Sequence, residues 1–277
     1  MRYSLVYALL AGAVVLSGCG SDGMVSRAVS GAAKSSEGSI REAMLSSAEP
    51  AQAVAYFSAQ VDADPGDVDA QRGLAASLVK AGRASEGVSA WRAVLDMDGA
   101  GNPDLVSLAD AQVRASDWTG AKATLDSVPP AHETFKRYRL EAMIADSLQQ
   151  WNKADTYYEI AAELTTTPAS VLNNWGYSKL SRGDGASAEA MFGRALKHDP
   201  DLFTAKNNLV LARATRGIWD LPAITMSEEE RAQLLHTAGL AAVKRGETTI
   251  GRRLLEEAVA AHPRHFDAAQ RALDALA

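Results

Sequence analysis

Few side chains in this 277-residue sequence have the types and spacing to do chemistry. His262 and His265, in "HPRH", stand at a metal-ligand spacing. A zinc or iron site needs further ligands, and no additional Cys or acidic residue lies at a suitable interval, while Pro263 sets the pair in a turn. Glu228 and Glu230 could act as paired acids, but "SEEE" at 227–230 is a capping box, in which the dipole of a new helix explains the carboxylates. "GDGAS" at 183–187 has the glycines of a phosphate loop without a preceding strand. Serines are plentiful, but none sits in the strand–turn–helix setting of a nucleophile elbow. No convergent site emerges, so we expect no catalytic residue, no metal, no cofactor and no small-molecule substrate.

Cys19 remains, the single cysteine of the chain. It has no partner for a disulfide, and the nearest histidine is His132. Arg2 precedes an unbroken apolar run, "LVYALLAGAVVL" from Leu5 to Leu16, followed by small residues. That layout is a secretory signal peptide, too short for the roughly 18–20 apolar residues of a membrane-spanning helix. "LSGC" at 16–19 resembles the bacterial lipobox. The resemblance implies cleavage after residue 18 and a covalent diacylglyceryl and N-acyl lipid on Cys19. Two buried acyl groups hold a protein stably on a bilayer. Gly20, where Asp would signal inner-membrane retention, implies an outer-membrane anchor facing the periplasm. Residues 19–35, rich in Ser, Gly and Ala, read as a flexible tether.

The net charge is −6 with a pI near 5.4, a balance that argues against nucleic acid as a partner. Aromatics are only 6% of the chain, alanine is abundant and strand-like β-branched clusters are scarce, which favours helices. The helices repeat. A small residue recurs at Ala53, Gly87, Ala121, Ala154, Ala188 and Gly251, and a bulky one at Phe57, Trp91, Leu125, Tyr158, Phe192 and Leu255. Both series step by 34, 34, 33, 34 and 63 residues. Glycines at 82, 183, 217 and 246 mark turns between paired helices, and Pro65, Gly99, Pro200 and Pro263 end the pairs.

The best unit, Ala169 to Leu202, contains "NNWGYSKLSRGDGASAEAMFGRALKHDP" and resembles a tetratricopeptide repeat (TPR). The fold expected is all-α, a right-handed superhelical solenoid of antiparallel helix pairs over residues 36–265, with about seven units. Lys179 departs from the repeat pattern, which places a large apolar residue there. The 63-residue step falls short of two full units, and the shortfall lies at "WDLPAITM", 219–226. There Pro222 occupies the small seam position, so an extended segment replaces the second helix of the sixth unit. Trp219, Leu221 and Ile224 are expected to pack back onto the solenoid, leaving an exposed second binding surface as the alternative. Residues 266–277 form an amphipathic capping helix.

A solenoid of this kind presents a concave face lined by the first helix of each pair. In the repeat frame, groove-facing positions are 2, 5, 9, 12 and 13, with 6 beside them. They include Asn173, Asn174, Tyr177 and Ser181 in one unit and Asn207, Asn208 and Leu211 in the next. Asparagine offers both donor and acceptor to the backbone of an extended peptide, though it can equally bond to neighbouring helices. Further along, Arg72, Lys80, Arg114, Lys136 and Arg139 form a basic strip suited to an acidic or C-terminal segment.

The segments "VLNNWGYSKLSRGD", "DLFTAKNNLVLAR" and "ERAQLLHTAGLAAVKRG" resemble the TadD lipoproteins of tight-adherence (Tad, or Flp) pilus assembly in alphaproteobacteria. The resemblance covers roughly residues 169–250. It implies a pilotin-like adaptor that holds a secretin or another pilus component. The repeats alone fit equally a type IV pilus pilotin, the repeat lipoprotein of the outer-membrane β-barrel assembly machine, or a lipoprotein regulating a periplasmic cell-wall enzyme.

Overall fold

The computed structural model describes residues 38–276; Cys19, the apolar run before it and the 19–35 tether lie outside them. Fourteen helices and no strand occur among the described residues. In chain order they are α1 (38–46), α2 (Pro50–Ala63), α3 (Val68–Lys80), α4 (Ala84–Leu95), α5 (Asn102–Arg114), α6 (Trp118–Asp126) and α7 (Phe135–Ser147). The second half comprises α8 (Trp151–Glu163), α9 (Ala169–Ser181), α10 (Gly185–His198), α11 (Phe203–Thr215), α12 (Glu228–Lys244), α13 (Thr248–Ala261) and α14 (Asp267–Asp274). Each packs chiefly on its neighbours in sequence, as in a right-handed superhelical stack of antiparallel pairs.

The seam residues explain the pairing. All six small positions and all six bulky positions of the two series are buried. The bulky residue of a second helix lies against a small one on the first. A Cβ at Gly176 would come within 2.6 Å of Phe192 Cε1, and one at Gly239 within 2.8 Å of Leu255 Cγ. Close backbone approach at these two positions sets the spacing inside the α9–α10 and α12–α13 pairs.

Turns within the pairs recur in one conformation. Gly82, Gly183, Gly217 and Gly246 have φ of 77°, 83°, 73° and 84°. Ser116 and Gln149 fill the same slot in the third and fourth pairs at φ of 61° and 56°, which L residues adopt at a cost. Side-chain caps start several helices. Asp184 Oδ1 accepts from Ser187 N–H at 3.0 Å, which accounts for "GDGAS", and Ser227 and Glu230 complete the capping box that opens α12.

Residues 218–227 carry no helix. Trp219, Leu221 and Met226 pack against the core around α12 and α13, and Ile224 packs against the core around α10 and α11. The Trp219 indole donates to Glu247 at 2.8 Å, and the Arg245 guanidinium lies over its ring. The segment thus lies down on the stack, and the exposed-surface alternative is set aside. Across its base, Lys206, 1% exposed, donates to both oxygens of Glu230 at 2.9 Å. This pair ties α11 to the start of α12. No helix among the described residues is long and apolar enough to cross a membrane.

Candidate binding groove

A hollow of about 580 Å³ opens where α7, α9 and α11 come side by side. Helical spacing supplies its walls, since residues three or four apart share a face. From α7 come Met143, Asp146 and Ser147; from α9, Asn173, Asn174 and Tyr177; from α11, Phe203, Thr204, Asn207 and Asn208. Trp118 of α6 and Tyr158 of α8 complete the lining. Tyr177 is 60% exposed, an aromatic ring presented to solvent at the mouth.

Five of the seven groove residues read from the sequence meet here: Asn173, Asn174, Tyr177, Asn207 and Asn208. The amides are partly used within the solenoid. Asn208 Nδ2 donates to Asn173 Oδ1 at 3.1 Å, and Asn207 Oδ1 accepts from Thr237 at 2.8 Å. Among the described residues, the Asn173 amide N–H, the Asn208 side-chain carbonyl, the Asn207 amide N–H and both ends of Asn174 take no hydrogen bond, and all four residues line the hollow. Ser181 and Leu211 do not line it, and Ser181 Oγ donates to the Ser178 carbonyl.

The other two, Lys136 and Arg139, lie elsewhere on α7. Lys136 donates to Ser107 at 3.1 Å and borders a second hollow of about 280 Å³ with Lys80, Arg114 and Asp110. Burial pushes its ammonium pKa down. Arg139 and Arg114 are both paired with Asp110 at 3.0 Å. Arg72 is held by the buried Asp104 carboxylate at 2.8 and 2.9 Å. Three of the five strip cations are therefore neutralised by acids of the same stack, and the expected basic strip shrinks to Lys80 and Lys136.

Asp146 was not singled out in the sequence, although it occupies frame position 12 of its unit, and Met143 and Ser147 occupy 9 and 13. Its carboxylate accepts from Ser178 at 2.7 Å and from Tyr158 at 2.9 Å. Burial raises its pKa above the ordinary 3.8, against the pull of those two hydrogen bonds. The nearby Asp155 behaves oppositely. Burial would raise it too, but hydrogen bonds from Arg182, Lys179 and Trp175 hold it below the usual range. This also accounts for Lys179, whose ammonium pairs with Asp155 instead of filling the apolar position of the repeat.

His262 and His265 do not form a joint site. His262 Nδ1 meets the Arg264 carbonyl while its ring stacks on Phe266, and His265 pairs with Asp267. Among the described residues no cluster of three or more His, Cys, Asp or Glu could hold a metal ion.

The architecture recurs among solved structures. A chain of the APC/C hetero-tetramer Cut9–Hcn1 superposes with a TM-score of 0.61 at 15% identity over 85% of this chain. The matched region is 48% of that chain, so this protein spans about half its length. A tetratricopeptide repeat protein from Parabacteroides merdae gives 0.54 at 11% identity, covering 82% of this chain and 92% of that one. The fold is the tetratricopeptide-repeat solenoid. PilF of Pseudomonas aeruginosa also shares it, at 0.51 and 14% identity over 75% of this TPR chain and 97% of that one. No protein-family model and none of the curated proteins matches the TPR chain.

Proposed function

We propose that this TPR protein is a non-catalytic adaptor, anchored through lipid on Cys19 to the periplasmic side of the outer membrane. There it holds an extended segment of a secretin or another pilus component during Tad pilus assembly. The observation that carries the binding reading is the hollow between α7, α9 and α11, where free amide donors and acceptors from successive repeats flank an exposed aromatic ring. An extended backbone needs such alternating partners, and side-chain pockets beside them give selectivity. The anchor and the pilus assignment rest on the "LSGC" motif and on the resemblance of residues 169–250.

The test is affinity purification from detergent-solubilised outer membranes, comparing wild type with Asn173→Ala/Asn207→Ala and identifying captured proteins by mass spectrometry. The secretin should accompany wild type and be lost with the double variant. Capture of cell-wall hydrolases or synthases without the secretin would overturn the pilus role and leave the solenoid as a regulator of those enzymes.

A further inference from the structure

The main hollow has an electrostatic peculiarity. Its lining includes one ionisable acid, Asp146, and no Lys, Arg or His. Arg182, whose charge acts on that carboxylate, pairs directly with Asp155 and lies over Trp151, and Arg139 pairs with Asp110. Each Asp146 oxygen takes one hydroxyl donor, from Ser178 or Tyr158, and a carboxylate oxygen can accept two. Asp146 is half-buried, so its free acceptor positions are reachable from the hollow. Around it stand Met143, Trp118, Tyr177 and Phe203, a wall of thioether and aromatic surface.

A carboxylate with no salt-bridge partner, in the lining of an aromatic hollow, is complementary to one ligand chemistry. A basic side chain has an apolar stem to lie along such walls, a charge that aromatic faces attract, and donors for the vacant carboxylate positions. A neutral side chain would leave the partly desolvated Asp146 uncompensated, and an acidic one would be repelled. We propose that the hollow between α7, α9 and α11 receives a lysine or arginine side chain of the partner segment, with Asp146 as its counter-ion. This deepens the groove reading above and depends on it. It also reverses the expectation of an acidic ligand, because none of the five cations that suggested one lines this hollow, and three of them are paired with acids of the stack.

The probe is a set of acetylated, amidated decapeptide pools with random flanks, whose central residue is fixed as Lys, Arg, norleucine or Glu. Binding is measured to the full chain in detergent. Norleucine matches the lysine stem without the charge, so the wild-type comparison decides the matter even if a variant fails to fold. The Lys and Arg pools should bind about tenfold more tightly than the norleucine pool. Asp146→Asn should bring the Lys and Arg pools down to the affinity of the norleucine pool measured on the same variant. Equal binding of the Lys and norleucine pools, or preference for Glu, overturns the inference while the groove reading stands. Failure of every pool to bind removes both.

Discussion

Asn208 donates its side-chain amide to Asn173 Oδ1 across 35 positions of sequence, at 3.1 Å. One asparagine is on α11 and the other on α9, at neighbouring positions of the repeat frame. The bond therefore links two units along the groove and fixes the orientation of both amides. Asn174, beside them, has no such duty.

Two substitutions should separate structural from binding amides. Asn208→Ala is expected to destabilise the fold by about 0.5–1.5 kcal/mol, one side-chain hydrogen bond between half-buried partners. Asn174→Ala should leave the melting temperature unchanged and weaken partner binding. Thermal unfolding followed by circular dichroism checks the first statement, and the affinity purification described above checks the second.

Lys206 and Glu230 make an asymmetric pair. The ammonium is 1% exposed and the carboxylate side chain 25%. Glu230→Gln strands a buried charge and should cost about 2–4 kcal/mol, whereas Lys206→Met fills the same volume and should cost about half as much. The hydrogen bond from Lys206 holds the Glu230 pKa below its ordinary 4.5. A depressed carboxylate contributes stability above its unfolded pKa and loses it as pH falls through the folded value. Wild type should therefore lose stability below about pH 4.5 more steeply than Lys206→Met, as chemical denaturation across pH 3–7 would show.

Ser116 and Gln149 occupy the turn position that glycine fills in three other pairs and after α11. Replacing either by Gly removes the left-handed strain of an L residue but adds unfolded-state freedom. The net expectation is stabilisation of up to about 1 kcal/mol, seen as a higher denaturation midpoint with unchanged slope. At Gly176 the direction reverses. Ala there pushes a methyl into Phe192 and should cost about 1–3 kcal/mol.

The fold was legible because both seam series repeat with nearly one period, and burial demands a small residue opposite a large one. The turns at Ser116 and Gln149 carry no glycine to mark them, although one and two repeats from Gly82 reach them in turn. The basic strip was misjudged for a different reason. In a stack of 34-residue units, partners on adjacent repeats are separated by about one repeat. Arg72 and Asp104 are 32 apart, Arg139 and Asp110 are 29 apart, and neither pair shows in a local window. Asp146 escaped notice because an acid on a helix face reads as solvated until its neighbours are known. Its meaning depends on which cations are taken, and that is a property of packing.

The most direct test of groove binding is site-specific photo-crosslinking in cells. A photoreactive phenylalanine analogue replaces Tyr177 at the mouth of the hollow or, as a control, Lys197 on the exposed surface of α10. Adducts with one envelope protein, the secretin, are expected from position 177 and none from 197. Adducts from 197 with none from 177 would contradict groove binding, placing the partner on the outer surface of the solenoid.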